Sequence, residues 1–219
     1  MNCVFCLSEL YLDEHFAAPF QDFRHLEGTH FYCDPQAEKQ LRKTAQDQGP
    51  DGIHHIDLGD YHYISLFFLQ EIQEPFSLVL FDHHPDDQPG ALNQGMLSCG
   101  NWVKFARESL PQLHEVVWFG GPDAREPRPG LPVYVSIDLD VLSRDEFVTD
   151  WDQGAMTVEE LRSRLERIRR SHRIIGVDVC GGLTRAQGAS DADLKKNERI
   201  RTLISRDNMW SAFAADTCK

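Results

Sequence analysis

An apolar run, Ser77-Leu78-Val79-Leu80-Phe81, passes directly into Asp82-His83-His84-Pro85-Asp86-Asp87. The run has the length and the β-branched and aromatic content of a buried strand. Pro85 cannot continue a central strand, so the chain leaves the sheet there. The polar cluster thus falls at a strand's carboxyl end, where open α/β sheets place their ligand sites. A second run repeats the arrangement: Val133-Tyr134-Val135-Ser136-Ile137 leads into Asp138-Leu139-Asp140. Two buried strands that each end in an Asp-x-(His/Asp) pair read as two halves of one metal site.

Alternate residues of an extended segment point the same way. Asp82, His84 and Asp86 therefore share one face, with His83 and Pro85 on the other. Asp138 and Asp140 share a face, with Leu139 turned into the core. Five ligands are too many for one tetrahedral zinc with an open position. They suit two cations bridged by shared carboxylates, as two-metal hydrolases use. Oxygen donors with one or two imidazoles and no obvious thiolate favour manganese, with iron, cobalt and nickel left open.

The rest of the chain supplies an α/β frame. Asp34-Pro35 marks a helix start, with Asp as cap and Pro in the first turn. That helix runs to about Gln46 and is broken by Gln48-Gly49-Pro50-Asp51-Gly52. Residues 53–58, 77–82, 115–119, 132–138 and 174–179 read as strands, and 4–12 as a strand or short helix. Residues 22–29 and 86–95 read as loops. Helices are expected in the apolar segment ending at Leu69, over 98–110, from the capping box Thr157-Val158-Glu159-Glu160 to about Ser171, over 191–205, and in the tail 208–219. Strands alternating with helices predict a three-layer α/β/α fold with a mainly parallel sheet. A chain of 219 residues suits a single domain spanning 1–219.

Composition narrows the function classes. The chain is 41% hydrophobic and 26% charged, as soluble globular proteins are. A formal net charge of −13 argues against nucleic acid or an anionic membrane as partner. No stretch approaches a membrane span, and Met1 to Cys6 lacks the basic and apolar regions of a secretory signal. A cytoplasmic setting with reduced cysteines is expected. Cys3-x-x-Cys6 has no second pair, so buried thiols are favoured there over structural zinc.

Three motifs in order resemble those of the arginase/agmatinase (ureohydrolase) superfamily, whose fold the histone deacetylases share. Gly59-Asp60-Tyr61-His62 resembles that family's Gly-Gly-Asp-His with a Tyr inserted. Asp82-His83-His84-Pro85-Asp86 resembles Asp-Ala-His-x-Asp, with His83 in place of Ala. Ser136-Ile137-Asp138-Leu139-Asp140 matches Ser-(Ile/Phe)-Asp-x-Asp. The resemblance implies that His62, Asp82, Asp86 and Asp138 bind one manganese. It implies that His84 and Asp140 bind a second, with Asp82 and Asp138 bridging and a hydroxide between the metals as nucleophile. Asp86 would accept or pass on its proton. Two positions depart from the family pattern. Gly181 stands where ureohydrolases carry a guanidinium-binding Glu, and Leu97 to Trp102 has no counterpart of their proton-shuttling His.

Further residues merit a role beside a bland reading. His83 is read as a proton shuttle, a group orienting a carboxylate, or an exposed residue. Cys99 is a candidate catalytic or substrate-contacting thiol, if a base or positive field lies beside it. Asn101, Asp152 and Gln153 are candidate substrate contacts on loops, with turn formation as the default. His54 and His55 read as packed strand residues, and Arg164, Arg167, Arg169 and Arg170 as a solvated helix face. The function expected is hydrolysis of a C–N bond in a small guanidino, amidino or amide compound. The alternative is a catalytically degenerate metal-bearing protein that binds a small ligand or a protein partner. Single-zinc deacetylase chemistry fits less well, because His62 and Asp140 are extra ligands. Self-association into homo-oligomers stays open.

Overall fold

Strand parity sets the architecture. In β4 (Phe76–Phe81) the odd-numbered Val79 and Phe81 enter one apolar cluster and the even-numbered Phe76, Leu78 and Leu80 enter another. β6 (Val133–Asp138) divides its side chains in the same way, and so does β7 (Ile174–Cys180) from Gly176 onward, after a register shift at Ile175. A strand buried on both faces needs helices on both sides. The computed structural model, which describes residues 2–89, 95–121 and 124–206, shows that arrangement.

The other strands are β1 (Asn2–Cys6), β2 (Gln21–Asp22), β3 (Gly52–Ile56) and β5 (Leu113–Trp118). Every pairing is parallel, and the order is β2-β1-β3-β7-β6-β4-β5. Against one face lie α2 (Pro35–Gln48), α3 (Ser65–Leu69) and α4 (Trp102–Ser109), through Ala37, Leu41, Leu66, Phe68 and Trp102. Against the other lie α5 (Val158–Ser171) and α6 (Asp191–Arg206), through Leu161, Leu165, Ile168 and Ile204. The fold is the expected three-layer α/β/α, and the sheet is parallel throughout.

Local signals explain the element boundaries. The Asp34 side chain accepts from the Gln36 and Ala37 amides and caps α2, which ends at Gly49 with φ of 74°. Thr157 and Glu160 form the full capping box of α5. The helix expected from Ser98 begins only at Trp102, because Ser98 is bridged to Tyr32 and its amide donates to Asn101. The short edge strand β2 sits in a stretch without strand periodicity, where sequence predicts loop. Cys3 and Cys6 are buried thiols that join no metal-spaced cluster among the described residues. His54 stacks on Phe68 at 3.8 Å and His55 lies edge-on to Phe16, both as packing residues. The helix expected over 208–219 lies outside the described residues. No helix among the described residues is long and apolar enough to cross a membrane.

One buried ion pair ties the frame to the sheet's carboxyl edge. Arg201 of α6 and Glu14, which follows the short helix α1 (Leu10–Asp13), are both fully buried, with Nε 2.7 Å from the carboxylate. The same guanidinium donates to the Gly181 carbonyl at 2.7 Å, just beyond β7. Removing one partner strands a buried charge, which costs about 3–5 kcal/mol, whereas an apolar replacement of both is close to neutral. Arg201→Met is therefore expected to lower stability by about that amount in urea unfolding, and Glu14→Leu/Arg201→Met to recover most of it. Equal losses in the single and double variants would show that the pair itself is a net stabiliser.

Candidate metal centre

The parity that builds the layers also gathers the polar side chains. Asp82 continues the even face of β4, Ser136 and Asp138 that of β6, and Asp178 and Cys180 that of β7. Register places Ser136 opposite Asp178 and Asp138 opposite Cys180. All five project toward the layer of α2, α3 and α4. There the 3-10 turn Gly59–Ile64, directly after β3, delivers His62. His62 Nδ1 lies 3.0 Å from Asp86, 3.2 Å from Asp82 and 3.8 Å from Asp138. His84 Nδ1 lies 2.9 Å from Asp140 and 3.7 Å from Asp82. His62, Asp82 and Asp86 form one cluster of ligand spacing, and Asp82, His84 and Asp140 form a second. Asp82 belongs to both, which joins five of the residues expected as metal ligands, and the sixth, Asp138, meets His62 at 3.8 Å.

Fixed dipoles hold this arrangement. The His62 Nε2 edge faces Ser136 Oγ at 2.8 Å, and Ser136 donates to Asp178 at 2.6 Å. This relay leaves Nδ1 facing the carboxylates, as a ligand imidazole requires. The His84 amide donates to Asp82, the His83 amide to Asp140, and the Asp140 amide to Asp138. Trp102 Nε1 donates to Asp86 at 2.7 Å. Asp86 adopts φ of 47°, the left-handed conformation that Asp tolerates better than most residues, where the chain turns after Pro85. Two glycines flank Asp138. A Cβ on Gly59 would meet its Oδ2 at 2.8 Å, and one on Gly181, at φ of 94°, would meet its Oδ1 at 2.6 Å.

The donor set fits a pair of divalent cations. Burial first, then the charges of Asp140 and Asp82, push the Asp138 pKa up to about 8. Burial and Asp82 raise Asp140 to about 6. Burial raises Asp86 as well. Carboxylates crowded this closely need countercharge, and cations supply it. Among the described residues a third cluster of ligand spacing, His62, Asp138 and Cys180, overlaps the first.

The recess over the cluster is lined by Gly59, Gln88, Cys99, Gly100 and Trp151 in addition to the acidic groups and His84. The remaining sequence candidates divide. Cys99 lines the recess, but burial and then Asp86 push its thiol up to about 12, which leaves it protonated and a poor nucleophile. The His83 side chain lines a separate cleft with Phe119, Glu160 and Arg164, so only its amide serves the cluster. Asn101 spends its amide on the Ser98 N–H and the Met96 carbonyl. Gln153 spends its own on the Leu142 and Phe147 carbonyls, and Asp152 is exposed. These three therefore stand away from the recess lining. Trp151, their unremarked neighbour, is the loop residue that reaches it, held by its Nε1 bond to Asp60 at 2.9 Å. Asp60 is a buried acceptor for Trp151 with His30 at 3.1 Å, outside the ligand clusters. Arg164 is less solvated than its helix position suggests, lying over the Phe119 ring at 5.0 Å.

In the metal-free protein the raised pKa values make a prediction with a definite sign. A carboxyl whose pKa rises on folding keeps a proton that the unfolded chain has lost, so stability falls as pH rises toward the folded value. Asp138 at about 8 and Asp150 at about 7 act this way. His84, raised to about 10 by hydrogen bonds to Asp140 and Asp82, adds to the same trend. His54 and His55, lowered by burial to about 4 and about 3, oppose it only below their unfolded value of 6.5. In chelator, the melting temperature is expected to fall between pH 6.5 and 8.5 by at least about 3 °C, the shift that about 1 kcal/mol gives in a chain of this size. Saturating manganese should remove the part of that slope that Asp138 and His84 contribute and leave the Asp150 part. A flat profile in chelator would contradict the crowding.

No protein-family model matches the chain. An uncharacterized protein of Thermotoga maritima is 32% identical over 146 residues, a match covering 59% of this chain and 58% of the Thermotoga protein. The arginase of Entamoeba histolytica, solved in complex with L-ornithine, superposes with a TM-score of 0.64 at 11% identity over 93% of this chain and 96% of that one. Proclavaminate amidino hydrolase of Streptomyces clavuligerus gives 0.60 at 17% identity, covering 83% of this chain and 72% of the other. A triple mutant of the T. brucei arginase-like protein, bound with Mn2+, gives 0.58 at 13% identity, covering 98% and 90%. With its parallel seven-stranded sheet and strand-end cluster, the chain has the fold of the arginase/agmatinase (ureohydrolase) superfamily.

Proposed function

We propose that this chain is a binuclear-metal hydrolase that cleaves a C–N bond in a small guanidino, amidino or amide compound. The observation that carries the reading is the convergence of His62, Asp82, His84, Asp86, Asp138 and Asp140 on one buried point from three strand ends. His62, Asp82, Asp86 and Asp138 would hold one cation, and Asp82, His84, Asp138 and Asp140 the other. Oxygen and imidazole donors suit manganese, the ion bound in the T. brucei structure. When bound, such a pair acidifies a coordinated water enough to supply a nucleophile near neutral pH.

The chain's own groups perform the other tasks. Asp86 would accept the proton from the attacking water, its carboxylate held by the Trp102 N–H. The Ser136–Asp178 relay keeps the His62 ring in one orientation. Trp151 offers the substrate an aromatic wall, on which a planar guanidinium or amidinium can stack. Among the described residues the recess lining carries no Lys or Arg, which favours a neutral or cationic group over a carboxylate. The free, buried cysteines accord with a reducing, cytoplasmic setting.

Gly181 removes the family's route to guanidinium binding. A side chain there must bear φ of 94° and displace Asp138, so Gly181→Glu is expected to weaken metal binding and to create no arginase activity. Calorimetric titration of the apo protein should show two equivalents of manganese, with both lost in Asp82→Ala and in Asp138→Ala. A panel of guanidino, amidino and amide compounds, scored for urea or ammonia release, should give at least one metal-dependent turnover. Asp138→Asn should lower that turnover by at least about 100-fold, roughly 3 kcal/mol of barrier. Two bound cations with no turnover on any compound would leave a metal-binding protein that is not this hydrolase.

A further inference from the structure

We propose that Cys180 is itself a metal ligand, completing the His62 half of the centre with a thiolate and making the two cation sites chemically unequal. This rests on the binuclear reading above and adds to it a donor that the three sequence motifs do not contain.

Cys180 ends β7 in register with Asp138 and on the same face of the sheet. Its side chain is fully buried, and its Sγ lies 3.2 Å from Asp138 Oδ2. The ligand atoms of His62, Asp138 and Cys180 all lie within 4.8 Å of one another. Donors that share one cation at 2.0–2.3 Å sit roughly 3–4 Å apart, and Cys180 would be the fifth protein donor there, beside His62, Asp82, Asp86 and Asp138. A thiol held there has two options. It can donate its S–H to Asp138, or it can give that proton up to solvent as a metal–sulfur bond forms. The carboxylate it faces is one of the two shared between the cation sites, so a cation bound by Asp138 and His62 comes within reach of the sulfur.

The His84 half differs. Its cluster of Asp82, His84 and Asp140 contains only oxygen and nitrogen donors. Thiolate selects softer ions such as zinc, while carboxylate-rich sites suit manganese. The centre is therefore expected to take zinc or cobalt at the His62 site in preference to manganese, and to keep manganese competitive at the His84 site.

Cobalt tests this directly, because a thiolate bound to Co2+ gives an intense near-ultraviolet charge-transfer band that carboxylates and imidazoles do not. Apo protein would be loaded with Co2+, its stoichiometry read by equilibrium dialysis and its spectrum recorded on the same sample. The expected result is two bound equivalents and the charge-transfer band, with the band lost in Cys180→Ser and in Cys180→Ala but kept in Cys99→Ser. Cys180→Ser should also weaken one of the two cobalt sites by more than the roughly 10–100-fold that loss of a ligand's hydrogen-bonding neighbour costs. Two equivalents of cobalt bound to the unaltered protein with no band would overturn the ligation and leave the binuclear reading standing. A band that survives in Cys180→Ser and disappears in Cys99→Ser would overturn it equally. No bound cobalt at all would overturn both readings together.

Discussion

Mutual repulsion among buried carboxylates is the constraint that the rest of this structure must meet. Asp82, Asp86, Asp138 and Asp140 are all less than one-tenth exposed and reach toward one volume. Left to themselves, like charges at such spacing would force strand ends apart or hold protons well above their ordinary range. Three devices resist this here. Backbone amides at His83, His84 and Asp140 aim at the carboxylates without moving. Two imidazoles stand among them. The parallel register, fixed by apolar contacts on both faces of the sheet, leaves the strands no room to separate. The sheet thus pre-pays the cost of assembling a cation site, and a cation that enters recovers it.

Much of this was legible in the sequence because two periodicities coincide. A run of apolar residues that ends in Asp, with further acidic or imidazole residues at spacings of two, fixes both where the strand stops and which way its last side chains face. That is why Asp82, Asp138 and Asp140 come together as expected. His62 needed the likeness to a known motif, since it sits in a 3-10 turn whose direction no periodicity reveals. The all-parallel sheet followed from strands that alternate with helical patterns. Boundaries failed where a tertiary contact competed with helix propensity, as at Ser98, whose amide is taken by Asn101.

The loop candidates Asn101 and Gln153 stand outside the recess lining for one reason. Asn101 and Gln153 have long polar tips suited to substrate, but each is consumed by backbone groups of its own loop that would otherwise go unpaired. Trp151 shows the reverse: an aromatic in a turn gives no signal until Asp60, distant in sequence, binds its indole. Cys180 is invisible for a different reason. Its only signature is register against Asp138, a property of the β6–β7 pair that neither strand carries alone.

Glycines decide how the centre can be approached. A Cβ at Gly59 or at Gly181 would collide with one or other oxygen of Asp138, so both positions must stay free of a side chain for that carboxylate to keep its place beside His62 and Cys180. Gly181 is itself pinned: its amide donates to Asp57 and its carbonyl accepts from Arg201. The turn after β7 is thus held on both of its backbone faces beside the centre. Among the described residues the recess above the acidic cluster is lined by Trp151, Gln88 and Gly100. The C–N group of the proposed substrate would then lie between an aromatic wall and an acidic floor, and its recognition would fall to ring stacking and to bound cations. A fold shared at 10–17% identity with an arginase and a proclavaminate amidino hydrolase leaves open what the site reads, because function lies in the site and not in the fold.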